Sequence, residues 1–250
     1  MFSLENKTAL VTGCSRGIGM EMAIALAKAG ADVIGVSSSL PTGKTTLSEQ
    51  IEAEGRKFYS YQCDFSNRQA VTDFAKEVVQ HYQIDILINN AGTIYREPAV
   101  SHDLDKWDDV LEINLSAPFI LSQIIGKQMI SRQAGKIIFT ASLLSFQGGV
   151  IVPRYAASKG AIKQITHALA NEWAKENVQV NAIAPGYIAT DNTKALREDQ
   201  SRNQAILDRI PAGRWGNPED LTGAVLFLAS SASDYVNGIV LPVDGGWLAR

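Results

Sequence analysis

Tyr155 and Lys159 stand four residues apart in "PRYAASKGAIKQ", residues 153–164, with Ala156, Ala157 and Ser158 between them. On a helix that spacing puts a phenol and an ammonium on one face. A cation beside a tyrosine favours its phenolate and lowers its pKa. Such a tyrosine can act as a general acid/base near neutral pH. Taken alone, the pair also recurs in helices that do no chemistry, so the rest of the chain must decide.

A second stretch fits a phosphate. "VTGCSRGIGM", residues 11–20, places Gly13, Gly17 and Gly19 where an apolar run gives way to an amphipathic one. Glycine permits positive φ and close approach of a backbone to a ligand. A helix beginning there offers free N–H groups and partial positive charge to an anion. The rival phosphate signal, "PTGKTT" at 41–46, fails as a P-loop because Ser38 stands where its first glycine should be. A third oddity lies in "EINLSAPFIL": Pro118 follows Asn114 by four residues, so the Asn114 carbonyl loses its usual helical donor.

These groups need a scaffold. Strands are expected at 8–13, 32–37, 57–64, 85–92, 136–142, 178–186 and 238–246. Several lack polar alternation, as strands buried on both faces do. Helical patterns lie between them, near 17–29, 43–54, 67–81, 103–131, 155–176 and 218–229. Alternation of this kind predicts an α/β fold: one Rossmann-type, doubly wound parallel sheet with helices on both faces. The glycine turn then sits at the first strand-to-helix junction, where dinucleotides bind. Residues 187–216 break the alternation with Asp191, Arg197, Glu198, Asp199 and Arg202, and are a candidate substrate lid on a single domain spanning 1–250.

Composition narrows the classes. The 250 residues are 46% hydrophobic and 20% charged, with a formal net charge of −3. That balance gives no general attraction to nucleic acid or to an anionic membrane. Any anionic substrate therefore needs a local cationic pocket. Cys14 and Cys63 form no C-x-x-C, and His81, His102 and His167 show no ligand spacing, so no metal site is expected. "MFSLENKTALVTG" reads directly into a strand with no leader, and no apolar run reaches membrane-spanning length, so a cytoplasmic location is the expectation.

Together, Gly13, Gly17 and Gly19, "NNAG" at 89–92, Asn114, Ser142, Tyr155, Lys159 and "APG" at 184–186 resemble the short-chain dehydrogenase/reductase family across essentially the whole chain. Longer strings, among them "NEWAKENVQVNAIAPGY", "IPAGRWG" and "VDGGWLAR", resemble its branch acting on deoxy-ketouronate and keto-gluconate sugar acids. The resemblance implies an oxidoreductase that moves a hydride between a nicotinamide cofactor and a secondary alcohol or ketone. Tyr155 would be the acid/base. Lys159 would lower its pKa and hold the nicotinamide ribose. Ser142 would stabilise charge on the substrate oxygen. The Asn114 carbonyl would hold a water in the proton relay.

The same resemblance implies a cofactor cradle of Gly13, Ser15, Arg16, Gly17, Ile18 and Gly19, with Ser37 at the adenine ribose and Asp64 and Phe65 at the adenine. Asn90, Ala91, Gly92, Tyr155, Lys159, Pro185, Gly186, Ile188 and Thr190 would complete it. Ser37 replaces the acid that often binds the NAD ribose, and Arg16 could pair with a 2′-phosphate. The branch is nonetheless NAD-linked without an acid there, so NAD is expected and NADP is the alternative. Substrate contacts are expected from Arg96, Ser142, Gln147, Arg154, Tyr155 and Tyr187.

Trp247 and Leu248 lie just past the last strand with no later element to cover them. With the family's usual symmetry this predicts a homotetramer whose tail packs on a neighbour, where Arg250 could reach a substrate carboxylate. Gluconate 5-dehydrogenation and ketoacyl or steroid reduction are the alternatives on the same scaffold, although the charged 187–216 segment disfavours an apolar substrate. A dinucleotide-binding regulator without catalysis is the non-enzyme alternative.

Overall fold

A computed structural model of the chain describes residues 1–41 and 43–250. Seven strands form one parallel sheet: β1 Thr8–Thr12, β2 Asp32–Ser37, β3 Phe58–Gln62, β4 Ile86–Asn89, β5 Gly135–Thr140, β6 Val178–Pro185 and β7 Val240–Val243. Their order across the sheet is β3-β2-β1-β4-β5-β6-β7. β1 pairs with both β2 and β4, so the winding direction reverses there and opens a crevice beyond the strand ends.

The apolar strand runs are explained by burial on both faces. Leu10, Leu87, Ile137, Phe139, Val180 and Ala182 belong to one core. Their chain neighbours Ala9, Val11, Ile86, Ile88, Ile138 and Ile183 belong to the other. Successive strand residues point to opposite faces, so each face demands its own apolar set. α3 Arg68–His81, α5 Ala117–Arg132 and α6 Pro153–Trp173 supply the first core. α1 Gly17–Lys28, α2 Thr46–Ala53 and α9 Thr222–Ala229 supply the second.

The helical pattern at 103–131 is not one helix. α4 Leu104–Leu111 passes through a wide π turn, Glu112–Ser116, into α5. The Ala117 N–H bonds to the Glu112 carbonyl, five residues back. Pro118, which has no N–H, stands in the first turn of α5 and offers the Asn114 carbonyl no donor from four residues on. The strands expected at 57–64 and 238–246 are shorter than anticipated, because their ends are turns leading to α3 and to the tail. "PTGKTT" includes Thr42, which lies outside the described residues.

Residues 187–216 contain α7 Lys194–Glu198 and α8 Gln200–Leu207. Ile206 and Ile210 join Leu143 and Trp247 in a small third core. The expectation that no element of the same chain covers Trp247 and Leu248 is corrected. Trp247 is 4% exposed, covered by its own chain, and Leu248 packs against the same cluster. Arg250 donates to the Asp208 carbonyl at 2.6 Å within the same chain. Among the described residues no helix is long and apolar enough to cross a membrane.

Candidate active site

The crevice at the strand ends is a cleft of about 1280 Å³. Ordinary small-molecule sites occupy roughly 300–1,000 Å³, so this one has room for an extended dinucleotide and a second small molecule.

Backbone packing shapes one end. Gly13 has φ +67°, and a Cβ there would meet the Ala91 Cα at 2.8 Å. A Cβ on Gly19 would collide with the Gly13 carbonyl and the Asn90 amide. Asn90 Nδ2 donates to the carbonyls of Thr12 and Gly13, at 3.1 and 3.2 Å. The Thr12 hydroxyl accepts from the N–H groups of Asn90 and Ala91, each at 2.9 Å. The β1 and β4 ends are thereby locked together. α1 starts at Gly17 with no side-chain cap and no acid in its first turn. Its free N–H groups border the cleft and suit an anion. The buried Ser37 hydroxyl also borders the cleft and has no partner among the described residues. An uncapped helix start and an orphaned hydroxyl at the end of β2 fit the phosphates and ribose of a dinucleotide.

The middle of the cleft carries the chemistry-bearing side chains. Ser142 follows β5 and caps a short helical turn, its Oγ accepting from Leu144 N–H at 3.2 Å. Tyr155 and Lys159 lie on the first turns of α6 and border the same cleft. Lys159 Nζ donates to the Thr140 carbonyl at 2.6 Å and lies 5.7 Å from the Tyr155 ring centre. Its burial pushes its pKa down to about 8. Burial pushes the Tyr155 phenol up, and a hydrogen bond to Ser142 and the nearby charge of Arg96 partly oppose it. Desolvation dominates, and the opposing cation is Arg96.

Asn114 is buried behind the cleft, in the π turn. Its Oδ1 accepts from Thr93 N–H at 2.8 Å, while its Nδ2 donates to the Thr93 carbonyl at 2.9 Å and to Ser158 Oγ at 3.1 Å. It ties the loop after β4 to α6, between Tyr155 and Lys159. A Cβ on Gly92 would lie 3.2 Å from Asn114 Oδ1, so that loop fits only closely.

Most expected residues meet at this cleft. Ser15, Arg16, Ile18, Phe65, Asn90, Ala91, Gly92, Pro185, Gly186, Ile188 and Thr190 border it, as do Arg96, Gln147 and Tyr187. Two do not. Asp64 is exposed, and its carboxylate accepts from the N–H and hydroxyl of Ser66, at 2.9 and 2.7 Å, holding the turn into α3. Arg154 is wholly buried and bonded to Glu97 at 2.6 Å and to His102, so its guanidinium is not offered to a substrate. It anchors the start of α6 to the loop after β4.

Sequence reasoning missed Arg202, Arg209 and Trp247 as cleft residues. The signal was present. Residues 202, 205, 206 and 209 follow the i, i+3, i+4, i+7 spacing of one helical face, and all four border the cleft.

The sequence model described as "short chain dehydrogenase" matches residues 7–201. The chain belongs to the short-chain dehydrogenase family. It is 62% identical over 250 residues to a 2-dehydro-3-deoxy-D-gluconate 5-dehydrogenase from Pseudoalteromonas atlantica, covering 100% of this chain and 98% of that protein. A 2-dehydro-3-deoxy-D-gluconate 5-dehydrogenase from Bacillus subtilis is 55% identical, with 100% and 97% covered. A crystal structure from Beutenbergia cavernae superposes with a TM-score of 0.96 at 45% identity, covering 100% of this chain and 99% of that one. That protein is provisionally assigned as an NAD(P)-dependent gluconate 5-dehydrogenase, and its crystal holds NADP at low occupancy. As a family member this chain is an oxidoreductase acting on CH–OH groups with a nicotinamide dinucleotide.

Proposed function

We propose that this chain interconverts the secondary alcohol and the ketone at C5 of 2-dehydro-3-deoxy-D-gluconate, with NAD as its dinucleotide. The observation that carries the reading is one cleft that runs from an anion-binding helix start, past Ser142, Tyr155 and Lys159, to Arg96, Arg202 and Arg209. Those arginines supply the local cationic pocket that an acidic substrate needs on a chain of net charge −3. The names of the most similar relatives agree with a sugar acid.

When bound, the dinucleotide donates or accepts the hydride. Tyr155 gives its phenolic proton to the carbonyl oxygen as that oxygen becomes an alcohol, and takes it back in the reverse direction. Ser142 donates to the same oxygen and stabilises its developing charge. Lys159, with a pKa brought down to about 8, can return a proton towards Tyr155 from the ribose side. Asn114 holds the loop after β4 and α6 in register, with its carbonyl in the widened turn as a water site. Ser37 holds the adenine ribose, and Arg16 borders it.

Residues 187–216 act as the substrate lid in this reading. The homotetramer remains part of it on the family resemblance alone, because the tail is covered within its own chain; sedimentation tests it. The decisive assay compares 2-dehydro-3-deoxy-D-gluconate and its 2,5-diketo counterpart with gluconate, 5-keto-gluconate and simple cyclic ketones, using each dinucleotide. The deoxy acids should give the highest kcat/KM. A preference for gluconate, or for neutral ketones, overturns the substrate assignment.

A further inference from the structure

The cleft has three arginines besides Arg16, and they are not equivalent. Arg96 donates to the Asn192 carbonyl at 3.2 Å, and its charge acts on the Tyr155 phenol, so it stands near the reacting oxygen. In a 5-keto acid the carboxylate is four carbons away from that oxygen and needs a different partner.

Arg209 is held for such a role. Its guanidinium lies over the Trp247 ring, 4.1 Å from the ring centre. Its Nη2 donates to Gln147 Oε1 at 3.1 Å, and Trp247 Nε1 donates to the same oxygen at 3.3 Å. Two donors on one oxygen fix the orientation of the Gln147 amide, which leaves Nε2 as a further donor at the cleft. Arginine has five N–H donors in a planar fork matched to a carboxylate. The hydrogen bond to Gln147 uses only one, and its acceptor is an amide rather than an acid.

The support behind Arg209 is rigid. Trp247 is buried against Tyr187, with ring centres 4.7 Å apart. Tyr187 meets Trp215 edge-on at 5.4 Å, and Trp215 Nε1 donates to Asn203 on α8 at 2.7 Å. Arg250 grips the Asp208 carbonyl, one residue from Arg209. A side chain ordered before the ligand arrives loses little freedom on binding. Gln147 lies five residues after Ser142 and connects this end directly to the reacting centre.

We propose that Arg209, oriented by Trp247 and Gln147, reads the substrate carboxylate and so sets the preference for acids over neutral ketones. This rests on the sugar-acid reading of the cleft, and the test separates the two. Wild type, Arg209→Gln, Arg209→Lys and Gln147→Glu are assayed with 2-dehydro-3-deoxy-D-gluconate and with a neutral cyclic ketone, the latter also in the presence of gluconate as a competing anion.

A lost charge-assisted hydrogen bond corresponds to about 10–100-fold in affinity. KM for the acid should rise by about that factor in Arg209→Gln, with kcat and neutral-ketone turnover little changed. Arg209→Lys should recover part of the loss. Gln147→Glu, which sets a competing carboxylate against Arg209, should raise the same KM even if Arg209→Gln fails to fold. Equal losses for acid and neutral ketone, or no loss, overturn the proposal. If wild type turns over no sugar acid, yet gluconate inhibits its ketone reduction and not that of Arg209→Gln, the substrate assignment fails and the role of Arg209 stands. Gluconate inhibiting both alike, or neither, overturns that role.

Discussion

The two ends of the cleft are built by different means. At the dinucleotide end the wall is main chain: β1 and β4 are locked by Thr12 and Asn90, and Gly13 and Gly19 admit no Cβ. At the substrate end the wall is a stack of side chains, Trp215 on Tyr187 on Trp247 beneath Arg209, contributed by an irregular segment and the tail. A backbone wall accepts one invariant ligand. A side-chain wall can be re-cut residue by residue without disturbing the sheet.

The largest expected effect falls where the two ends meet. Tyr155→Phe should lower turnover by about 10²–10⁴-fold, while titration of reduced dinucleotide fluorescence shows binding intact. Near-normal turnover would remove Tyr155 from its role. Trp247→Ala should act on the substrate end alone. Truncating a buried tryptophan costs about 3–5 kcal/mol, read as a lower denaturant midpoint. KM for the acid should rise and that for the dinucleotide should hold; a matching rise in both would break the division.

Gly19→Ala should do the opposite, weakening the dinucleotide by at least about tenfold through the clash with Gly13. Gly223→Ala, where a Cβ on α9 meets nothing within 4 Å among the described residues, is the control. It should be neutral or stabilising by up to about 1 kcal/mol.

Lys159 tests the seam through pH. Its folded pKa, near 8, lies below the ordinary lysine value of about 10.4. Between those values the unfolded chain binds the extra proton, so stability rises as pH rises through that window, by an amount on the order of 3 kcal/mol at most. Lys159→Met should lack that rise in chemical unfolding from pH 7.5 to 10. Parallel curves for the two proteins would refute the depressed value.

The smallest effect belongs to the pair that spans the cleft mouth, Arg16 with Asp191 at 3.5 Å, both well exposed. Exposed pairs are worth about 0.2–1 kcal/mol. Asp191→Asn should free Arg16 and lower KM for NADP a few-fold, leaving NAD unchanged.

The same contrast explains what could be read from sequence. The dinucleotide end was legible because glycine spacing and uninterrupted apolar strands are imposed by local geometry. Tyr155 and Lys159 were legible because a helix fixes i and i+4 together. Arg154 was misjudged because being beside Tyr155 in sequence says nothing of direction, and its side chain turns inward to Glu97 and His102. Trp247 and Leu248 were expected to lack cover in their own chain because a helical spacing in 187–216 does not say where that segment folds back. The spacing of residues 202, 205, 206 and 209, along α8 and the turn after it, was visible, but its target was a tertiary fact.

The wide turn at Glu112–Ser116 can be described as one residue too many in a helix. Each residue advances an α-helix by about 100°. Deleting one residue there would close the turn into regular helix and swing Asn114 off Thr93 and Ser158. Alternatively, it would rotate α5 and carry its buried stripe towards water. Length variation between members of this lineage should therefore collect in segments such as 187–216 and be purged from these five positions, so gap placement in a set of related sequences becomes a record of where the loop after β4 is tied to α6.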